Sequence, residues 1–430
     1  MKYLFLHQNM PGQFKHLAPV LAADPENQVV FITKRGDVEL PRVRRVTYKP
    51  ARTVHRGAHH YLRTLEDAVL HGQEVVRACL RLRAEGFWPD LIIAHPGWGE
   101  SMFMREVYPA SAILNYCEYY YQALDAGNGG EGPLRPTIDA LCRLHAKNAH
   151  LLLALEACDQ AWSPTRWQKS RHPKDLQSKI EVIFDGIDTG LVKPDEAATF
   201  KLPSGQVLSR DDEVITYISR NLEPYRGFPT FVRALPEILA RRPQAQVVVV
   251  GGDGVSYGSP PGGGRTWRQV MLEKVPFDPA RVHFVGKLPY WRYLKLLQVS
   301  KVHLYLTAPF VLSWSFLEAM AAGCVIVGSD TPPVREVLRP GLNGFFTKLY
   351  QPARVAADVV AALDHPRREE IRAAARETVL RRYDLKLCLP AQLATIDRLA
   401  RLGHERRAAQ IAAAEALRKP APSAAAAGSG

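Results

Sequence analysis

The chain has 430 residues, which corresponds to two or three domains at about 150 residues each. Apolar residues make up 47% and charged residues 23%, and these ordinary values exclude a disordered chain, a collagen-like chain and a coiled coil. The 56 Lys and Arg against 43 Asp and Glu give a net charge of +13. That balance indicates an acidic partner, such as nucleic acid, a phosphorylated small molecule or an anionic membrane surface.

The cysteines and the N-terminus indicate the compartment. Six cysteines lie far apart without a Cys-x-x-Cys pair, so reduced, buried thiols are expected rather than a zinc cluster or a disulfide framework. The apolar run at the N-terminus is broken at His7, which is too early for a signal peptide. No window reaches the ~18 apolar residues of a membrane span. The sequence predicts a cytoplasmic protein.

Short apolar runs alternate with amphipathic segments in the first part of the chain. The predicted strands are residues 2–7, 27–33, 90–95 and 111–116, and the predicted helices are residues 14–23 and 61–86. Strands separated by helices form a parallel sheet through right-handed crossovers.

A second alternating series follows a polar, Pro-containing stretch at residues 190–212. Its predicted strands are residues 213–219, 246–252, 281–286, 301–307 and 325–329, and its predicted helices are 228–242, 290–300, 315–323 and 353–364. The sequence therefore predicts an α/β protein with two Rossmann-like domains, whose parallel sheets bind ligands at the carboxyl ends of their strands.

The predicted domain boundaries follow from these two series. The first domain covers residues 1–190 and is joined by a C-terminal helix at about 385–403, and the second domain covers residues 205–384. Residues 404–430 are Ala-rich and are expected to be a disordered tail.

The segment 307–338 is the strongest candidate for a binding site. A strand is followed by the polar loop Ser313-Trp314-Ser315 and then by a helix. Unpaired backbone N–H groups at a helix start lie at the positive end of the helix dipole and can hold a phosphate. Glu318, expected in the first turn, can accept hydrogen bonds from ribose hydroxyls. The alternative is that Glu318 is only a favourable first-turn acid.

Two arginines follow the first strand of the second domain. Arg220 and Arg226 lie six residues apart around a turn that leads through Gly227 into a helix. Guanidinium groups suit bidentate phosphate binding, so the pair can converge on one diphosphate. The alternative is a solvated charge pair with Glu223.

These motifs resemble those of the retaining glycosyltransferases of family 4, which have the two-domain GT-B fold. Arg220 and Arg226-Gly227 match an Arg followed six residues later by Lys-Gly, with Arg in place of Lys. Residues 317–323, Leu-Glu-Ala-Met-Ala-Ala-Gly, match the second half of the family's Glu-x7-Glu signature. Residues 284–286, 335–346 and 180–194 match in order and spacing. The resemblance is strong over about 180–350.

One position departs from the family pattern. The first Glu of the signature belongs eight residues before Glu318, where this chain has Phe310. In the family that Glu lies against the donor sugar. The resemblance therefore implies that the sugar is oriented differently here, or that catalysis is impaired.

Three candidates lie in the first domain. Gly12 follows the first strand and can permit close approach to donor phosphates; the alternative is a plain turn. His95 follows the strand at 90–95 and is a candidate catalytic residue, although a lone His is often structural. Glu118 stands where the family often has the Asp of a His-Asp pair, so the resemblance implies an acidic catalytic role.

The excess positive charge is concentrated in one stretch. Residues 34–83 contain twelve Lys or Arg and five Asp or Glu, a net of +7. In the resembled fold this part would face the acceptor, which favours an anionic acceptor; the alternative is a solvated basic face. No DNA- or RNA-binding module is recognisable, so nucleic acid is not expected.

The resemblance implies transfer of a hexose-like unit from a UDP- or GDP-linked sugar to an acceptor, with retention of configuration. The donor-binding residues are expected to be Gly12, Arg220, Arg226, Ser313, Trp314, Ser315 and Glu318, and the catalytic residues His95 and Glu118. The nucleotide sugar is a co-substrate, and no other cofactor is expected. No metal is expected, because no Asp-x-Asp sequence occurs.

The expected acceptor is an anionic or membrane-associated glycan or lipid, with the protein at the inner membrane surface. Two other functions stay open: a sugar-nucleotide epimerase or a phosphorylase of the same fold, and a catalytically impaired sugar-nucleotide-binding protein.

Overall fold

The computed structural model describes residues 1–122 and 136–418. The first part of the chain folds around a seven-stranded parallel sheet of order β3-β2-β1-β4-β5-β6-β7. Its strands are β1 Lys2–Leu6, β2 Gln28–Thr33, β3 Val43–Thr47, β4 Leu91–Ala94, β5 Ala112–Tyr116, β6 Gln160–Ser163 and β7 Ile180–Val182. Its helices are α1 Leu17–Ala23, α2 Arg63–Ala84, α3 Met104–Val107, α4 Ile138–Lys147, α5 Ala149–Ala157 and α6 Arg166–Arg171.

A two-stranded antiparallel hairpin precedes the second domain. It consists of β8 Phe200–Lys201 and β9 Val207–Leu208. Its buried residues Phe200 and Leu208 pack with Val214 and Val248 of the second sheet. The polar linker is therefore anchored to the second domain by a small apolar core.

The second domain is built on a six-stranded parallel sheet of order β12-β11-β10-β13-β14-β15. Its strands are β10 Val214–Asn221, β11 Gln246–Gly252, β12 Val282–Gly286, β13 Val302–Tyr305, β14 Val325–Ser329 and β15 Phe345–Thr347. Its helices are α7 Phe228–Arg241, α8 Trp267–Lys274, α9 Tyr290–Val299, α10 Trp314–Ala321, α11 Pro332–Arg335, α12 Pro352–Asp364 and α13 Arg368–Arg382.

Each sheet is buried on both faces, as expected when crossover helices cover a parallel sheet. Separate apolar clusters flank the first sheet, one containing Leu4 and Ile92 and the other Phe5 and Ile93. Val247 and Ile326 belong to the corresponding clusters of the second sheet. Two parallel-sheet α/β domains confirm the predicted fold class. No helix within residues 1–122 and 136–418 is long and apolar enough to cross a membrane.

The last helix, α14 Leu385–Arg418, returns to the first domain. Its residues Ile396, Leu399 and Ala400 are buried in the core of the first sheet. At Gly403 a Cβ would lie 1.8 Å from the backbone oxygen of Asp90, so only glycine allows this close approach to the sheet.

The expectation of a disordered tail from residue 404 is wrong for residues 404–418, which continue α14. Polar contacts with the first domain hold this extension. His404 Nδ1 lies 3.1 Å from Asp90 Oδ1, and Arg406 donates to Asp159 at 2.7 Å. Residues 419–430 lie outside the described residues.

Candidate active site

A cleft of about 1310 Å³ lies between the carboxyl ends of the two sheets. Its first-domain walls come from the turns after β1, β4, β5 and β7, and its second-domain walls come from the turns after β10 and β13 and from the start of α10. Every residue singled out for a site in the sequence lines it: Gly12, His95, Glu118, Arg220, Arg226, Phe310, Ser313, Trp314, Ser315 and Glu318.

Arg226 is a buried cation in this cleft. Its Nη1 donates to Thr307 Oγ1 at 2.9 Å, and the guanidinium lies over the rings of Tyr257 and Phe310 at 5.2 and 5.7 Å. The residue is 8% exposed, and no carboxylate of the described residues forms an ion pair with it. A buried charge without a counter-ion is costly, so this geometry suits an anionic ligand.

Arg220 lies at the carboxyl end of β10 and is exposed to the cleft. It forms no hydrogen bond or ion pair with another of the described residues. Glu223 does not pair with either arginine: it is buried and accepts hydrogen bonds from the backbone N–H groups of Ser256 and Tyr257. Both guanidinium groups are therefore available to a ligand.

Helix α10 begins at the cleft, with Ser313 as its N-cap. Two backbone donors at this helix start already have partners: the Ser313 N–H donates to the Tyr305 hydroxyl at 3.0 Å, and the Ser315 N–H donates to Ser313 Oγ at 3.3 Å. The Trp314 N–H has no partner among the described residues. Fewer backbone N–H groups are therefore free at this helix start than expected. The Trp314 N–H is the candidate for donating a hydrogen bond to a phosphate.

Glu318 lies in the second turn of α10, not in the first turn as expected, because the helix begins at Trp314. It is buried, and its two oxygens accept hydrogen bonds from the hydroxyls of Tyr290 and Tyr293 at 2.8 and 2.7 Å. It is therefore not a first-turn helix cap. Each carboxylate oxygen can accept a second hydrogen bond, so Glu318 retains capacity for a ligand hydroxyl at the cleft wall.

Phe310 belongs to an aromatic cluster that joins the two domains. Its ring lies 4.5 Å from Tyr119 of the first domain and 4.7 and 5.3 Å from Tyr257 and Tyr225 of the second. The Tyr119 hydroxyl also donates to the backbone oxygen of Pro309 at 3.4 Å. An apolar, aromatic wall thus stands where the family pattern has a carboxylate.

Glu118 ends a chain of hydrogen bonds on the first-domain wall. His7 Nδ1 accepts from the Asn9 N–H at 2.9 Å, so Nε2 carries the proton and donates to Gln13 Oε1 at 2.7 Å. Gln13 Nε2 then donates to Glu118 Oε1 at 2.9 Å. The chain fixes both the tautomer of His7 and the orientation of the carboxylate.

His95 faces the other oxygen of Glu118. Its Nδ1 accepts from the Gly97 N–H, and its Nε2 lies 3.4 Å from Glu118 Oε2. Burial acts to raise the pKa of Glu118, but the contacts with His95, His7 and Gln13 outweigh burial and hold that pKa below its usual value. Burial lowers the pKa of His7 to about 3, so His7 is neutral. The structure therefore brings His95 and Glu118 together.

Gly12 is required by the packing of the turn after β1 against His7. Its φ is +53°, and a Cβ there would lie 2.4 Å from Nε2 of His7. The glycine therefore allows the turn to close over the His7 ring. Its approach to a donor phosphate stays a prediction.

Asp185 is a cleft residue that the sequence did not single out. It follows β7 and is 4% exposed, and its Oδ2 accepts hydrogen bonds from Tyr116 Oη at 3.0 Å and from Trp314 Nε1 at 2.6 Å. Burial raises its pKa to about 6. The strand that precedes it, β7, was not among the predicted strands, and residues 180–194 were singled out only through their resemblance to the family.

The basic stretch at residues 34–83 does not line the cleft in the part of the chain described by the structure. Several of its arginines form ion pairs within the same domain, including Arg44 with Glu85 and Arg52 with Glu66. The stretch therefore lies outside the cleft lining, and its facing an acceptor stays a prediction.

Comparison with known proteins gives two adjacent family matches. A model of the glycosyl transferase family 4 group matches residues 25–192, and a model of glycosyl transferases group 1 matches residues 202–378. The division between them falls in the linker before the second domain.

The curated relatives match about half of the chain. A D-inositol 3-phosphate glycosyltransferase of Acidothermus cellulolyticus is 25% identical over 216 residues, covering 48% of this chain and 46% of the relative. A phosphatidyl-myo-inositol mannosyltransferase of Mycobacterium tuberculosis is 28% identical over 184 residues, covering 41% of this chain and 44% of the relative. The chain thus matches less than half the length of each of these relatives.

Solved structures share the whole architecture. HepE of Anabaena in complex with UDP has a TM-score of 0.63 at 16% identity, covering 93% of this chain and 100% of that one. Sucrose-phosphate synthase of Thermosynechococcus elongatus has a TM-score of 0.69 at 16% identity, covering 93% and 98%. These likenesses show the fold, and the family models show the family. The chain therefore belongs to the glycosyl transferases, matching the family 4 group over residues 25–192 and group 1 over residues 202–378, and it has the GT-B architecture.

Proposed function

We propose that this chain transfers a hexose-like unit from a UDP- or GDP-linked sugar to an acceptor hydroxyl, with retention of the anomeric configuration. The observation that carries the proposal is Arg226, a buried guanidinium that lines the cleft without a carboxylate partner among the described residues. A diphosphate would provide the negative charge that Arg226 lacks, and its oxygens can accept two hydrogen bonds from one guanidinium.

The surrounding groups support a nucleotide sugar rather than a simple anion. Arg220, Trp314 and Glu318 line the same cleft as Arg226, so the diphosphate is proposed to contact Arg220 and the Trp314 N–H, and the ribose hydroxyls Glu318. The structure of HepE was solved in complex with UDP and with UDP-glucose. HepE therefore supports the choice of UDP and UDP-glucose among the donors to test.

The proposed reaction breaks the bond between the anomeric carbon and the diphosphate oxygen. The electron pair leaves with the diphosphate, whose charge Arg226, Arg220 and the start of α10 stabilise; such stabilisation is usually the largest catalytic effect. The acceptor oxygen bonds to the same face of the sugar, and its proton passes to the leaving phosphate oxygen. Glu118 and His95 lie on the first-domain wall, where they can orient the acceptor hydroxyl.

Inositol compounds are the acceptors to test first. The relatives are named as an inositol 3-phosphate glycosyltransferase and a phosphatidyl-myo-inositol mannosyltransferase. Both names describe a polyol with an anionic group, which agrees with the anionic or membrane-associated acceptor expected from the charge of the chain. A peripheral position on a membrane surface belongs to the same proposal.

The experiment combines UDP-glucose or GDP-mannose with myo-inositol, myo-inositol 1-phosphate or phosphatidylinositol vesicles. We expect nucleotide release that requires an acceptor, and a product whose anomeric configuration by NMR equals that of the donor. An inverted product would contradict retention. Interconversion of the donor without an acceptor would favour an epimerase, and donor binding without turnover would favour an impaired binding protein.

A further inference from the structure

Asp185 has a buried carboxylate oxygen without a partner. Its Oδ2 carries both hydrogen bonds described above, from Tyr116 and Trp314, whereas its Oδ1 has no hydrogen-bond partner among the described residues. The residue lines the cleft. A buried acceptor without a donor is costly, and the rare cases call for an explanation at the site where they occur.

The surroundings of Asp185 select the kind of donor that fits. Its neighbours include the acidic Glu118 on the same first-domain wall and, from the second domain, Trp314, whose ring has the Lys15 ammonium 4.2 Å from its centre. A second acid nearby disfavours a phosphate at Oδ1. An uncharged hydroxyl group can donate there without adding negative charge, and sugars and polyols present several such hydroxyls.

The contact with Trp314 places Asp185 where the first domain meets the start of α10. Asp185 lies in the first domain, and Trp314 begins α10, where the donor diphosphate is proposed to bind. Tyr116 ends β5, two residues before Glu118. A hydroxyl donated to Oδ1 therefore belongs either to the donor sugar or to the acceptor polyol.

We propose that Asp185 is a substrate-binding residue whose Oδ1 accepts a hydrogen bond from a sugar or polyol hydroxyl, while its Oδ2 joins the two domains through Trp314. This inference rests on the proposed function for the identity of the substrates. It adds a carboxylate to the saccharide site of a chain that has Phe310 in place of the acid of the family signature.

The test is Asp185→Asn, since the amide oxygen keeps an acceptor for Tyr116 and Trp314 and the amide nitrogen replaces the free oxygen. The matched control is Asp90→Asn, because Asp90 is equally buried but lies before β4, at the opposite end of the same sheet. Calorimetry measures the affinities of UDP, GDP, UDP-glucose and GDP-mannose. Turnover measures the KM for myo-inositol 1-phosphate.

We expect Asp185→Asn to bind UDP and GDP like the wild type. If the hydroxyl belongs to the donor, the affinity for the nucleotide sugar relative to that for the nucleotide alone falls about 10- to 100-fold. This is the loss expected for one hydrogen bond to a charged group. If it belongs to the acceptor, the KM for the acceptor rises by that factor with donor affinity unchanged. Asp90→Asn changes neither quantity.

The proposal is overturned if Asp185→Asn matches the wild type in both measurements. Failure of the wild type to bind any nucleotide would instead refute the proposed function. In that case saturation-transfer NMR with free mannose, glucose and myo-inositol decides the inference without a nucleotide. A signal that is lost in Asp185→Asn supports it, and absence of any signal from the wild type overturns it.

Discussion

At the scale of single residues, the cleft contains groups whose burial works against stability. Arg226 and Asp185 are each more than nine-tenths buried, and neither forms an ion pair among the described residues. An uncompensated buried charge is costly, and a perturbed ionisable group in a cleft is a candidate for a functional site. Both residues line the same cleft, which agrees with a site that is completed by its substrates.

Asp185 gives a prediction about stability and pH. Its folded pKa of about 6 lies above its ordinary 3.8, so the folded state takes up a proton more readily than the unfolded state between these values. Stability from this group is therefore present at low pH and is lost as the pH rises through 6. Burial raises this pKa most and the Glu118 charge raises it further, whereas the contacts with Trp314, Tyr116 and Lys15 lower it.

As the pH rises from 4 to 8, we expect the free energy of unfolding of Asp185→Asn to increase relative to that of the wild type. The shift is at most about 3 kcal/mol, because a change of one pKa unit corresponds to about 1.4 kcal/mol. Denaturant titrations at pH 4, 6 and 8 measure it. A constant difference at all three values would contradict a raised pKa for Asp185.

Phe310 gives a second prediction. In Phe310→Glu the new carboxylate lies beside Arg226, whose guanidinium is 5.7 Å from the Phe310 ring. We expect it to compete with the diphosphate for Arg226, so that UDP and GDP bind at least 10-fold more weakly, and to change the preference among donor sugars. Phe310→Leu, which keeps the site apolar, is the control and should retain nucleotide affinity. Equal nucleotide binding by Phe310→Glu and wild type would refute the link between Phe310 and the donor site.

At the scale of elements, the sequence predicted many of the strands and helices because apolar periodicity and glycine positions are local signals, but it did not predict the strands β3, β6, β7 and β15. Strand β11 occupies the predicted residues 246–252, and α12 begins one residue before the predicted 353–364. Arg226 and Ser313 were identifiable because each follows a strand of a parallel sheet. The pairing of Trp314 with Asp185 was not identifiable, since it joins residues 129 positions apart and depends on how the domains face each other.

The end of α14 likewise depends on contacts between residues far apart in the sequence. Alanine-rich composition suggested a disordered tail, whereas contacts of Arg406 and His404 with buried acids of the first domain extend the helix. These contacts are tertiary, so the local sequence pattern does not reveal them. Composition alone therefore placed the end of the ordered chain too early.

Arg406 tests whether this extension stabilises the first domain. It donates to Asp159, which also receives a hydrogen bond from Arg105 and is mostly buried. Arg406→Ala should lower the free energy of unfolding by about 1 kcal/mol, because it removes one partner of a partly buried carboxylate. The control is Arg401→Ala, whose ion pair with Asp397 is exposed and should contribute little. Equal unfolding of Arg406→Ala and wild type would show that the extension does not stabilise the fold.

At the scale of the whole molecule, several contacts among the described residues join the domains around the cleft. Phe310 packs on Tyr119, Trp314 donates to Asp185, and Glu336 of the second domain accepts from the backbone N–H groups at the start of α6 in the first. Two of these contacts involve residues that line the cleft. We therefore expect ligand binding and the relative position of the domains to be coupled through these side chains, because closure would exclude water from the proposed transfer reaction.

The central claim is that the cleft binds a nucleoside diphosphate through Arg226. Calorimetric titration of UDP, GDP, UMP and GMP into wild type and Arg226→Ala tests it most directly, with Arg241→Ala as control, since Arg241 is exposed and pairs with Glu237 at the far end of α7. We predict that at least one diphosphate binds the wild type 10-fold or more tightly than its monophosphate, and that Arg226→Ala alone abolishes this difference. No diphosphate preference in the wild type, or the same preference in Arg226→Ala, would contradict the account.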